Sequence, residues 1–217
     1  MLNNYQTVLF DFDGTIFDSS EGIFKSLQYA FCADGKPEPQ EGELRRFIGP
    51  PLYDSFKNFY GYDDEKIDFM VKKYRERYRD KGIWESSVYD GIPELLKKLK
   101  SAGLTVATAS SKPVSFIEIL LKKHNLYDYF DFIGGVSFDE ISSDKTDIIN
   151  NAISALNADK ASAIMVGDRK FDINGAHGAG IPCIAVLYGF GSREEFTEHN
   201  ADFIAEAPKD IEKIILG

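Results

Sequence analysis

Apolar residues follow two rhythms along this 217-residue chain. Six short stretches, 7–10, 104–110, 132–133, 161–166, 181–187 and 201–205, are apolar with little alternation. Such runs predict strands covered on both faces, since alternation arises where one face meets water. Between them the period becomes helical. Leu95, Leu96 and Leu99 form a stripe in 92–102, with Pro93 near the start and Gly103 after the end, the asymmetry expected of helix termini. Ile117, Leu120 and Leu121 do so in 114–124, where Lys122, Lys123 and His124 suit the negative end of the helix dipole. Ile149, Ala152, Ile153 and Leu156 mark a third helix over 146–156. From residue 90 onward strand and helix alternate, which predicts an α/β fold with a Rossmann-like parallel sheet.

The segment 17–85 breaks this alternation and predicts helices only. Ile23, Leu27 and Phe31 follow an Asp18/Glu21 capping pair. Leu44, Phe47 and Ile48 mark a second helix, stopped by Gly49-Pro50-Pro51, and Ile67, Val71, Tyr74 and Tyr78 a longer third. The expected division is an α/β core from 1–16 and 86–217 with a helical cap inserted over 17–85. A piece of that size buries too little surface to stand alone, so it is expected to pack on the core as a lid.

Charge narrows the partners. The net charge is −10, from 35 acidic and 25 basic side chains. A long polyanion would be repelled, so neither a nucleic acid polymer nor an anionic membrane is an expected partner. A small anion is compatible, because a bound cation and a few local positive groups can override the global field. Cys32 and Cys183 have no metal-ligand spacing, which fits a reduced, cytoplasmic protein. Residues 1–5 are polar and lead straight into a strand without a basic segment, so no leader is expected. No apolar run approaches the roughly 20 residues of a membrane-spanning helix.

Candidate chemistry collects at strand ends. Asp11-Phe12-Asp13-Gly14-Thr15 closes the first strand. In open α/β sheets the carboxyl ends of strands form the ligand crevice, and alternation lets Asp11 and Asp13 face one site. Gly14 allows the chain to turn away sharply. Ser110 ends a second strand, Lys145 opens the helix after 132–133, and Val166-Gly167-Asp168 ends another strand, with Asp172 in the first turn of the helix beyond. Several carboxylates at one place are costly unless a cation joins them. An all-oxygen set without histidine or cysteine points to a hard cation such as Mg2+.

Together these four segments resemble the signature motifs of the haloacid dehalogenase superfamily, and the helical insert after the first resembles that family's cap. Ile48-Gly49-Pro50-Pro51-Leu52, Val166-Gly167-Asp168-Arg169, Gly178-Ala-Gly-Ile-Pro and 186–192 are similar to segments of phosphoglycolate phosphatases and 5'-nucleotidase-like proteins. The resemblance implies a Mg2+-dependent phosphatase acting on a small soluble phosphate ester. It implies Asp11 as nucleophile and Asp13 as acid and base, with Ser110 and Lys145 on the phosphoryl group. It further implies a Mg2+ site from the Asp11 side chain, the Asp13 carbonyl, Asp168 and Asp172. Relatives often carry Thr-Asn-Lys where this chain has Ser110-Ser111-Lys112. The hydroxyl donor is kept, while Ser111 has no inherited role and Lys112 is a second candidate for the site cation.

Substrate-binding candidates are Gly14, Ser111, Arg45 and Arg46. For the two arginines a solvated helix face is the competing reading, while Lys72, Lys73, Arg75, Arg77 and Arg79 are expected to form an exposed face of a cap helix. Phe12, Phe17, Tyr53 and Phe56 either shape a pocket or belong to the core. His124, His177 and His199 are scattered and are not expected in the chemistry. Asp13 argues against a dehalogenase or a phosphonatase, but a phosphomutase keeps both aspartates and stays open. A phospho-receiver module is a more distant alternative, lacking a large insert after its nucleophile strand. Either a monomer or a homodimer fits the sequence.

Overall fold

β1 (Thr7–Phe10) is buried along its whole length and sits inside a six-stranded sheet. The structure, a computed structural model, describes residues 5–137 and 144–217; the reading of the first four residues lies outside them. The other strands of this sheet are β4 (Thr105–Pro113), β5 (Phe132–Val136), β6 (Ala163–Gly167), β7 (Cys183–Val186) and β8 (Phe203–Ala205). Their spatial order is β5-β4-β1-β6-β7-β8, and every neighbouring pair is parallel. The chain builds outward from β1 through β4 to β5, then returns to the other side of β1 to lay down β6, β7 and β8. The order therefore reverses around β1, where an open α/β sheet leaves a crevice at its carboxyl ends.

Alternation along β1 sends Val8 and Phe10 into one apolar cluster and Leu9 into another. On the first face the sheet is covered by α5 (Ile92–Ser101), α6 (Val114–Lys123) and α10 (Pro208–Leu216); on the second by α7 (Lys145–Ala155), α8 (Lys170–Ala179) and α9 (Arg193–Glu198). Both faces are apolar for that reason, and the strands show no alternation in sequence.

The inserted segment contains α1 (Ser20–Ala33), α2 (Glu41–Arg45), α3 (Leu52–Tyr60), α4 (Asp64–Asp80) and a 3-10 turn at Gly82–Trp84. It is not wholly helical as its pattern predicts. β2 (Phe17–Asp18) pairs antiparallel with β3 (Ser87–Val88), so the chain's passages into and out of the helices run side by side. Asp18 does not form a capping pair with Glu21; its carboxylate accepts the Ser20 amide and hydroxyl at 3.0 and 2.6 Å. The helices share one apolar cluster with the first face of the sheet, running from Val8 and Phe10 through Phe12 and Phe17 to Leu27, Phe56 and Met70. Among the described residues no helix is long and apolar enough to cross a membrane.

Candidate active site

Asp11 follows β1 directly, and its amide donates to the Val166 carbonyl at 2.8 Å. That bond ties the end of β1 to β6, after which comes Asp168. Asp172 lies in the first turn of α8, where a carboxylate suits the positive end of the helix dipole. Its Oδ2 accepts the Asp168 and Arg169 amides at 3.1 and 3.0 Å. One carboxylate oxygen from each of Asp11, Asp168 and Asp172 comes within 4.8 Å of the others, and all three residues are buried.

Lys145 begins α7 and reaches into this group. Its Nζ lies 2.8 Å from both Asp11 Oδ1 and Asp172 Oδ1. The second contact is an ion pair outside hydrogen-bond geometry. The lysine can pass because α8 carries Gly175 at the crossing, where a Cβ would lie 2.7 Å from Lys145 Cγ. Gly14 makes a similar allowance beneath Asp168. It has φ +86°, and a Cβ there would collide with the Asp168 carboxylate. Asp168 Oδ2 accepts the Phe190 amide at 2.8 Å, and Oδ1 faces Thr15 Oγ1 at 3.5 Å.

The electrostatics follow from this crowding. Burial, then the nearby charges of Asp172 and Asp11, raise the Asp168 carboxyl well above the usual range. Asp172 is pushed up to about 6, chiefly by burial, with Lys145 opposing and Asp11 adding to the rise. Burial acts to lower the Lys145 ammonium, but the Asp11 and Asp172 carboxylates outweigh it and raise it. Three carboxylates against one ammonium leave two negative charges in excess in a buried place. A divalent cation would cancel that excess, and the oxygen-only donor set suits a hard one. The residues present therefore fit a divalent metal.

Asp13 points elsewhere. Its Oδ1 accepts from Ser19 Oγ at 2.6 Å and from Lys112 Nζ at 2.8 Å, and its Oδ2 accepts from Lys112 at 3.0 Å. Ser110 is buried on β4, the strand that also carries Lys112, with its Oγ accepting the Lys112 amide at 3.3 Å. Asp11, Asp13, Ser110, Ser111 and Lys112 line one cavity of about 210 Å³ between the sheet and the helices. The opposite wall is the 47–51 loop with the start of α3, and one face of α4 with Asp68, Val71, Tyr74, Arg75 and Tyr78.

The two arginines proposed from sequence are not brought to this cavity. Arg45 pairs with Glu41 one turn away on an exposed face, and Arg46 stacks over the Phe59 ring at 4.1 Å. Gly14 supports Asp168 from below rather than lining the cavity. The basic run on α4 is not one solvated face: Arg75 lines the cavity, and half-buried Arg77 donates to Ser26 and Glu85. Phe12 and Phe17 are core residues stacked at 4.7 Å, whereas Tyr53 reaches the cavity.

Lys112 was legible only as a competitor of Lys145. The strand was expected to end at Ser110, but it runs on to Pro113 with an irregular register after Ala109, and Ser110, Ser111 and Lys112 all reach the cavity there. Arg169 was not identified as more than part of a motif. It donates to the Ile48 carbonyl of the cavity loop and to Glu195 of α9.

The comparisons with known proteins bear on this geometry. Residues 8–186 match the family described as haloacid dehalogenase-like hydrolase. The chain belongs to that family. This haloacid dehalogenase-like hydrolase is 39% identical over 195 residues to a 5'-nucleotidase of Pseudomonas aeruginosa, across 90% of this chain and 88% of that one. It is 31% identical over 209 residues to a tyrosine-protein kinase of Mycobacterium tuberculosis, across 96% of this chain and 71% of the other. A crystal structure described as a predicted phosphatase from Clostridium acetobutylicum superimposes with a TM-score of 0.94 at 41% identity, over 98% of each chain. The hydrolase is an enzyme of the phosphatase kind. Since one fold carries several activities, its substrate has to be argued from the site.

Proposed function

We propose that this hydrolase is a Mg2+-dependent phosphomonoesterase that works through an aspartyl-phosphate on Asp11. The observation that carries the reading is the buried meeting of Asp11, Asp168 and Asp172 within 4.8 Å, with Lys145 Nζ 2.8 Å from Asp11. Asp11, Asp168, Asp172 and the Asp13 carbonyl would hold the cation, which supplies positive charge where a carboxylate must meet a dianionic phosphate. Like charges at ~4 Å repel by about 1 kcal/mol per unit pair even in bulk water, and by several-fold more in a partly dry site.

Asp11 attacks phosphorus, forming a P–O bond as the bond to the leaving oxygen breaks. Asp13 gives its proton to that oxygen, then accepts one from the water that attacks the phosphoryl group and frees Asp11. Ser110 donates a hydrogen bond to a phosphoryl oxygen. Lys145 neutralises charge as it builds, a preorganised contribution of a few kcal/mol. Residues 17–85 act as a cap domain over this site, admitting substrate and excluding bulk water.

The cavity supports a leaving group with a flat apolar face. Tyr53, Tyr74, Tyr78, Phe47 and Phe116 lie on its walls, with Arg75 and Asp68 as polar contacts. Glycolate would leave most of that apolar wall uncovered, whereas a nucleoside would cover it. A nucleoside 5'-monophosphate is therefore the preferred substrate class over phosphoglycolate, in keeping with the name of the Pseudomonas relative. A phosphate-release panel of metabolites, run with Mg2+ and with EDTA, tests this. Turnover is expected with Mg2+ only, with nucleotides ahead of phosphoglycolate. Asp11→Asn is expected to remove it while leaving the melting transition in place. EDTA-resistant turnover, or normal turnover by Asp11→Asn, would overturn the mechanism.

A further inference from the structure

A buried lysine outside the carboxylate triad ties the helical layer to Asp13. The Lys112 side chain is 4% exposed. Its Nζ donates to both Asp13 oxygens, at 2.8 and 3.0 Å, and to Tyr78 Oη of α4 at 2.6 Å. Asp13 Oδ1 also accepts from Ser19 Oγ at 2.6 Å, just before α1. Tyr78 is buried too, stacked on Tyr74 at 5.3 Å and tilted against Phe116 at 5.6 Å. An ammonium in such a place is stable only while its N–H groups are engaged. Two of its partner oxygens belong to the core and one to the helical layer.

We infer that Lys112 is the positioning residue for Asp13, and that Tyr78 makes this positioning depend on the seating of α4. Gripping both oxygens fixes the plane of the Asp13 carboxyl group, which a single hydrogen bond from Ser19 would leave free to rotate. Tyr78 supplies the third partner only while α4 lies on the core. Lifting α4 would withdraw that partner and open the ammonium to water, loosening its grip on Asp13. Lys145 already serves Asp11 and Asp172, so it is not available for this task. Lys112 thus acts through Asp13, and proton transfer to the leaving group becomes conditional on the cap. This inference rests on the acid–base assignment of Asp13 above.

Leaving-group dependence tests it. An alkyl phosphate needs its leaving oxygen protonated, whereas p-nitrophenyl phosphate departs nearly unaided. With Lys112→Met, kcat/KM should fall roughly 100-fold for the alkyl phosphate, the lower end of what general acid catalysis supplies, and only a few-fold for the aryl phosphate. Hydrolysis of the aspartyl-phosphate also needs Asp13, so the aryl substrate should show a burst of p-nitrophenol before a slow steady state. Tyr78→Phe keeps the ring packing and removes one charged hydrogen bond. It should show the same selective loss at roughly tenfold, which preserves the test if Lys112→Met folds poorly. Equal losses on both substrates, or none in either variant, would overturn the inference while leaving the phosphatase reading intact. Failure of the unaltered protein to turn over either ester with Mg2+ would instead overturn the functional reading, and this inference with it.

Discussion

Asp168 has no exposed surface, and its carboxyl group sits beside two others. Burial and like charge raise it well above the usual range, so without a cation its ionised form opposes folding. Asp168→Asn should therefore stabilise the metal-free protein by about 1–2 kcal/mol, a rise of about 2–8 °C in Tm. The same variant should lose both turnover and the thermal response to Mg2+. Melting curves in EDTA and in Mg2+ measure both effects. Asp172 gives the pH dependence. Burial in the folded chain pushes it up to about 6, against 3.8 for its ordinary value. Between those values the folded state holds more protons than the unfolded state, so this group's contribution to stability falls as pH rises through that window. A divalent ion competes with the same proton. Its stabilising effect should be small at pH 5 and larger at pH 7.5, and equal Tm shifts at the two values would count against the triad as the metal site. The triad itself was legible in the sequence, because each aspartate stands at the end of an apolar run or one turn into the next helix. The partner of Asp13 was not. Lys112 lies 99 residues away, and its orientation depends on three strand residues beyond Ser110 that carry no apolar signal.

At the scale of elements, the helices with a narrow apolar stripe were legible and the short ribbon was not. β2 and β3 are two residues each, too short to develop a period. Of the stripe read for α4, Ile67, Tyr74 and Tyr78 are buried, while Val71 is half-buried against the cavity and Met70 is buried in addition; sequence periodicity does not tell which part of a stripe faces a neighbouring helix and which faces a cavity. That is why Arg75 and Arg77 read as solvated. Arg77 links α4 to Ser26 of α1 and, through two bonds of 2.8 and 3.0 Å, to Glu85 after the 3-10 turn. Arg77→Ala should cost about 1.5–3 kcal/mol, the usual worth of charged hydrogen bonds away from open water. Denaturant unfolding would measure it. A loss below the error of the extrapolation would mean that the pair is too well hydrated to matter.

Across the whole molecule, a single apolar cluster runs from the first face of the sheet into the helical layer through Phe10, Phe12, Phe17 and Leu27. The two parts were legible as separate stretches of sequence, while their common interior was not, since it depends on how the layer is seated. The helical layer has too little surface to bury for stability of its own. Calorimetry should accordingly give one cooperative transition, with calorimetric and van't Hoff enthalpies in agreement. A separate low-temperature transition would mean that the layer melts alone.

The antiparallel pairing of Phe17 with Val88 and Asp18 with Ser87 also governs how such a chain can change. Departure and return occur at one doorway, so the length and content of what lies between are uncoupled from the register of the parallel strands. Substitution or resizing of that excursion would alter which leaving groups gain entry while Asp11, Asp168, Asp172 and Lys145 underneath, held by one another and by core elements, keep their geometry.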